Sequence, residues 1–181
     1  LVVLQRNIVS LPDPQVTQFV FSVSQFAREN TLSQVLVTSL LPASYIDSDT
    51  VNKLAGQTAQ LLNGIPLDEE QQRLAFDVFP SPKSTASLAA QVEKIFPQLS
   101  NVIFHQVHVP VFYGMAQMVT LRAEYEFDAQ AQLQVWQANE FVDYREASVL
   151  TPVTNGEAEA GEAPKLHIGG LTALENGMQF W

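Results

Sequence analysis

The chain has 181 residues, 46% of them apolar and 15% charged, enough to bury a sizeable core and a length that fits one domain better than two. Nineteen acids against nine bases give a formal charge of −10, which leaves no basic stripe for nucleic acid or an anionic membrane, and no apolar run reaches the ~20 residues that span a bilayer. The absence of cysteine removes disulfides, thiolate metal sites and thiol nucleophiles together, and fits a reducing, cytoplasmic compartment.

Residues 1–10 read as one or two short strands, LVV and NIVS. Leu1-Val2-Val3 is too short for a signal peptide and lacks its basic flank. Asp13 is a natural helix N-cap with Pro14 at the first helical position. Beyond it Val16, Phe19, Val20, Val23, Phe26 and Ala27 define one face of a helix ending near Asn30. Gln34 to Leu40 is rich in β-branched residues and reads as a strand buried on both faces. Asp47 or Ser48 caps a second helix with Val51, Leu54, Ala55, Thr58, Leu61 and Leu62 inward, stopped by Asn63-Gly64. Leu74 to Phe79 reads as a strand closed by Pro80 and Pro82. Ser84 or Thr85 opens a third helix with Leu88, Val92, Ile95 and Phe96 inward.

Asn101 to Phe127 reads as two strands hinged at Pro110 to Gly114. In the first, Ile103, His105, Val107, Val109 and Val111 share one face, and Phe104, Gln106, His108 and Pro110 the other; Pro110 cannot donate to a ladder, so the strand is at an edge or ends there. In the second, Val119, Leu121, Ala123, Tyr125 and Phe127 alternate with Thr120, Arg122, Glu124 and Glu126, the period of a sheet with one buried face. Asp128 caps a short fourth helix with Leu133 and Trp136 inward. Phe141 to Val149 reads as an interrupted strand, and Thr154 to Lys165 as a surface loop whose Glu157, Glu159 and Glu162 face water. Leu166 to Ile168 and Gly177 to Trp181 are two last strands around a turn at Glu175-Asn176. The abrupt apolar start and the ending on Phe180-Trp181 are expected of a fragment.

Four helices and six to eight strands favour an α+β layer in which helices cover one face of a mixed sheet. The other face must be solvated, covered by further chain, or buried against a second copy. His105, His108 and His167 show no ligand spacing, and His105 and His108 fall on opposite strand faces, so no metal is expected. His108 is read as a hydrogen-bonded structural histidine ahead of a general base or an anion site, Asp13 as a cap ahead of a catalytic carboxylate, and Met115 and Tyr113 as packing residues. Thr120, Arg122, Glu124 and Glu126 form a polar face suited to a twofold contact, in which opposite charges pair reciprocally.

Five stretches, in order, resemble the aspartate-semialdehyde dehydrogenase family. They are QTAQLLNG at Gln57 to Gly64, LAFDVFP at Leu74 to Pro80, HVPVFYGMAQMV at His108 to Val119, Thr151-Pro152-Val153, and Asn176 to Trp181, similar to the family's NGLxLW strand. In that family an arginine before the Val-Pro-Val binds the substrate carboxylate and a histidine after the glycine is the general base; His108 and Met115 stand there instead. The nucleophilic cysteine belongs to a helix-start turn that here reads Ser10-Leu11-Pro12-Asp13-Pro14-Gln15. A Gln with a Ser-Gly-Ala-Gly loop gives way to Leu41 and Ser44-Tyr45-Ile46-Asp47. The resemblance is closest to the noncatalytic Usg-type relatives.

Several expectations follow from that resemblance. The fold is α+β, a mixed and largely antiparallel sheet with helices on one face, like the C-terminal domain of glyceraldehyde-3-phosphate and semialdehyde dehydrogenases. Residues 1–181 form one dimerisation-type domain, with 1–12 the connection from a missing nucleotide-binding domain that holds the family's NADP; this chain itself holds no cofactor. Its positions Asp13, Pro14, Leu41, His108 and Met115 carry no catalytic set, which implies a homodimerising pseudoenzyme domain. The rival is an oxidoreductase of amino-acid biosynthesis working with altered groups such as Asp13, Tyr113 and His108. A small anionic ligand is a third reading.

Overall fold

The structure, a computed structural model, describes residues 2–4, 8–99, 101–126, 128–146, 151 and 163–181. In chain order these form β1 (Val2–Leu4), β2 (Ile8–Ser10), α1 (Pro14–Glu29), β3 (Leu32–Leu41), a 3-10 turn at Ala43–Tyr45, α2 (Ser48–Leu62) and β4 (Phe79–Pro80). There follow α3 (Ala86–Ile95), β5 (Val102–His108), β6 (Ala116–Ala123), α4 (Ala129–Ala138), β7 (Val142–Arg145), β8 (Leu166–Gly169), β9 (Thr172–Leu174) and β10 (Gly177–Phe180).

Asp13 and Pro14 start α1 as their chemistry predicts. The Asp13 carboxylate accepts the Gln15 N–H at 2.9 Å, and Pro14 takes the position whose N–H has no helical partner. Val16, Phe19, Val23, Phe26 and Ala27 then enter the core, with Val20 half-buried at its rim. They pack on a six-stranded mixed sheet of order β4-β5-β3-β6-β10-β9, in which β3 and β5 run parallel and the other pairs antiparallel. Phe19 meets Phe104 edge to face at 6.0 Å. α3 adds Leu88 and Val92 to the same core. α4, capped by Asp128, adds Trp136, whose Nε1 donates to Ser22 O at 2.8 Å and whose ring meets Phe180 at 4.8 Å. α1, α3 and α4 thus cover one sheet face, as the α+β reading required.

Several expected elements differ, each for a local reason. β5 and β6 flank the Pro110 to Gly114 connection but do not pair, because β3 lies between them. That connection crosses the end of β3 through bonds from Val109 N to Leu41 O, Ala43 N to Val111 O and Ser44 N to Phe112 O. β3 is buried on one face only: Val35, Val37, Ser39 and Leu41 point inward, and Leu36, Thr38 and Leu40 are half-buried on the other face. The strand foreseen at Leu74 to Phe79 shrinks to two residues, because Phe76 takes a left-handed φ of 59° that breaks the alternation. Gln57 Oε1 instead accepts the Leu74 and Ala75 N–H groups, at 2.7 and 3.2 Å.

α2 begins at its Asp47 cap and ends at Asn63-Gly64 as expected, yet of its predicted inward set only Leu54 is buried, and Leu62 is 73% exposed. The helix packs on the 3-10 turn and the 74–79 segment, where Ala43, Leu54, Leu74 and Ala75 form a second small core. β6 stops at Ala123, leaving Tyr125 73% exposed; Phe127 lies outside the described residues. In α4, Gln132 is buried and Leu133 only half-buried. β7 pairs in parallel with β8, and β9 is a strand the sequence reading did not foresee. Residues 147–150 and 152–162, with most of the acidic loop and the Pro152-Val153 pair, lie outside the described residues.

Candidate functional site

On its inner face the sheet changes character towards one end. The rows Val35–Val102–Leu121 and Val37–Phe104–Val119 are apolar, but Ser39 is the Cα partner of both Gln106 and Gln117, which makes the next row polar. All three side chains are buried. The first turn of α1 sits above this row: Gln117 Nε2 donates to Gln15 O and to Ser39 Oγ, both at 3.0 Å. Gln15 Nε2 donates to Tyr45 Oη at 2.8 Å, and Tyr45 Oη donates to Asp13 Oδ2 at 2.7 Å. The Asp13 N–H donates to Gln91 Oε1 of α3 at 2.7 Å. The start of α1 is therefore tied to β3, β6, α3 and the 3-10 turn together.

Burial first, then the hydrogen bond to Asp13, push the Tyr45 phenol up to about 12, so it stays a neutral donor at physiological pH. Both Asp13 oxygens are engaged, one by the Gln15 amide and one by Tyr45. Beneath the polar row His108 is buried, its ring stacked on Phe79 at 5.0 Å, and burial and then Lys83 depress its protonation. Its imidazole makes no hydrogen bond among the described residues, contrary to the expected hydrogen-bonded histidine; the Phe79 ring covers it instead.

The sequence-derived positions are thus only partly gathered. Asp13 caps α1 as expected, Pro14 is exposed beside it, and Leu41 is fully buried at the end of β3, opposite His108 in register. Met115 is half-buried in a groove with Leu11, Pro14, Phe21 and Phe141. Tyr113 is 67% exposed rather than packed, and Asp13, Tyr113 and His108 share no hydrogen bond or ring contact. Thr120 and Arg122 lie on the outer sheet face; Glu124 and Glu126 are exposed beyond the end of β6. Gln15, Tyr45 and Gln117 were missed. Gln117 carried a signal, since it precedes Val119 by two and shares its face.

Chemically the arrangement is a set of structural bonds that leaves three buried amide oxygens, Gln15 Oε1, Gln106 Oε1 and Gln117 Oε1, without a hydrogen-bond partner among the described residues. Among the described residues no Ser or Thr hydroxyl is hydrogen-bonded to a histidine, and no group of three metal-ligating side chains occurs. The start of α1 is already capped by the Asp13 carboxylate, which disfavours a phosphate at that helix end. The same carboxylate disfavours a small anion there. No described helix is long and apolar enough to cross a membrane.

The outer sheet face is built differently. Register places Ile103, Leu36, Thr120, Gln179 and Thr172 in one row, His105, Thr38 and Met118 in the next, and Pro80, Val107, Leu40 and Ala116 in a third. These residues are half-buried or exposed, and no described helix packs over them.

No family model matches the chain. It is 55% identical over 178 residues to a USG-1 protein homolog from Haemophilus influenzae, covering 98% of this chain and 54% of that protein. It is 27% identical over 161 residues to aspartate-semialdehyde dehydrogenase 2 from Vibrio cholerae, covering 82% of this chain and 48% of that protein. The chain belongs to the family of the USG-1 protein homolog. It spans about half the length of the relatives it matches. The fold agrees: the solved aspartate semialdehyde dehydrogenase II from Vibrio cholerae, complexed with ASA, superposes with a TM-score of 0.86 at 24% identity, over 97% of this chain and 56% of that one. A probable aspartate-semialdehyde dehydrogenase from Pseudomonas aeruginosa gives 0.84 at 20% identity, over 96% and 56%. The part of these dehydrogenases that the chain matches is their C-terminal region.

Proposed function

We propose that the chain is a noncatalytic, self-associating domain of the aspartate-semialdehyde dehydrogenase family. The outer sheet face carries this reading: three rows of side chains, with aliphatic Leu36, Leu40, Ile103 and Val107 among polar neighbours and no described helix over them. A twofold contact needs a self-complementary patch, and this face offers an aliphatic centre with Arg122 at its margin and Glu124 just beyond. The noncatalytic half of the reading is supported by the chemistry. There is no cysteine, Met115 stands where the resemblance puts the base, and His108 and Asp13 are held in structural contacts. Self-association then outlasts catalysis as the role of the domain.

Sedimentation equilibrium tests the first half. A dimer is expected at micromolar concentration, and Leu36→Glu, which places a carboxylate in the apolar rows, is expected to give a folded monomer. A wild-type chain that stays monomeric at high micromolar concentration removes the self-association. For the second half, an assay with aspartate semialdehyde, phosphate and NADP is expected to show no turnover. Turnover abolished by Asp13→Ala or His108→Ala would instead establish an enzyme with altered groups.

A further inference from the structure

The outer face contains one imidazole in an unusual setting. His105 lies in the middle of β5, is exposed, and has Ile103 and Val107 two residues away on the same face. Thr38 is its Cα partner on β3, and Leu36 and Leu40 flank Thr38 on that face. The ring therefore projects from a collar of four aliphatic side chains and one hydroxyl. The described strands beside β5 bring no charge to this collar, since β3 offers Gln34, Leu36, Thr38 and Leu40, and β4 offers Pro80; in the turn after β4, whose Ser81 N–H bonds Gln106 O, the cation Lys83 reaches β5 at His108. α3 packs on the opposite face, where His108 also points. The other charge on the outer face of the described strands is Arg122, a cation, two strands away in the row of Gln34. A second copy seated on the face brings its own His105 and Arg122, and again no carboxylate from the strands themselves.

We propose that His105 makes self-association through this face sensitive to acid: once protonated, the ring cannot be covered by the apolar seam, and the copies separate. This rests on the reading of the outer face as a contact between two copies. Covering a ring with aliphatic side chains penalises its charged form alone, and imidazole changes charge in the pH 5–8 range. The sign is set by linkage: closing the seam opposes the charged ring, so the associated state is favoured where the imidazole is neutral and loses that advantage as the pH falls. Each copy contributes one ring, so the two act together to weaken the dimer on acidification. The general charge of the chain acts the other way. At −10, two copies repel each other at neutral pH, and acid relieves that repulsion. Weakening on acidification therefore carries the signature of the histidine.

The test is sedimentation equilibrium of the whole chain at pH 7.5 and 5.5, with the buried Trp136 as a fluorescence check on folding, for wild type and His105→Gln. The wild-type Kd is expected to rise several-fold and the His105→Gln value to hold or fall. An equal Kd at both pH values, or the same acid weakening in His105→Gln, overturns the switch while leaving self-association intact. A wild-type monomer at pH 7.5 overturns the contact itself and the switch with it.

Discussion

Removing one oxygen tests the polar assembly at the start of α1. In Tyr45→Phe the ring remains, but the hydroxyl that donates to Asp13 Oδ2 at 2.7 Å and accepts from Gln15 Nε2 at 2.8 Å is gone. The first bond is charge-assisted, and the second leaves the amide of a fully buried glutamine without its acceptor. Asp13 is half-buried, so water partly replaces what its carboxylate loses. Together these predict a loss of about 2–3 kcal/mol in urea unfolding, or about 4–12 °C in Tm for a domain of this size. The bond also predicts a pH dependence. The phenol is pushed up to about 12, above its ordinary value near 10 in the unfolded chain. Its contribution is therefore present below pH 10 and is lost as pH rises from 10 to 12, and the difference between wild type and Tyr45→Phe should close over that window. Tyr113→Phe, at an exposed site, is the control and should match wild type. A Tyr45→Phe loss below about 0.5 kcal/mol, the level of an ordinary surface change, would refute the assignment of this network as the anchor of α1.

Trp136→Phe removes the indole N–H that satisfies Ser22 O and trims the ring packed on Phe180 and Tyr144, so urea unfolding should show a loss of about 3 kcal/mol. Phe76→Gly should be neutral or stabilising by up to about 1 kcal/mol, since the residue is 57% exposed and glycine takes its φ of 59° without strain; a large loss would mean that the ring is engaged. Gly177→Ala drives a Cβ into the Leu121 carbonyl oxygen on the paired strand, and thermal unfolding should reveal a cost of about 1–3 kcal/mol.

The fold was legible where local chemistry and period agree. Asp13-Pro14, Asp47 and Asp128 mark three helix starts because a short acceptor before a helix satisfies an amide that nothing else reaches, and all three carboxylates do so. Pairing was less legible. Nothing local to Asn101 to Phe127 announces that β3, some seventy residues earlier, will enter between β5 and β6, since that order is set by pairings between strands distant in the chain. α2 misled for a related reason. Its spacing describes an amphipathic helix accurately, but its surroundings are a loop and a 3-10 turn too small to cover the whole stripe, so Leu62 stays in water.

The polar assembly was the hardest part to read, because its members are far apart in the chain and look ordinary in place. Gln15 is the second residue of a helix, Gln117 the second of a strand, and Tyr45 belongs to a short turn with no period at all. What joins them is the point where the apolar rows of the sheet give out. Ser39, Gln106 and Gln117 fall in one row because β3 runs parallel to β5 and antiparallel to β6, and the first turn of α1 lies over that row. The alternation of β5 set His105 and His108 on opposite faces without saying which was inner; Phe19 of α1, meeting Phe104, decides it. The choice buries His108 with Phe79 and leaves His105 outside among Leu36, Leu40, Ile103 and Val107, where a second copy can cover it. A helix packed on one side of the sheet thus determines which of the two histidines is left to respond to acid.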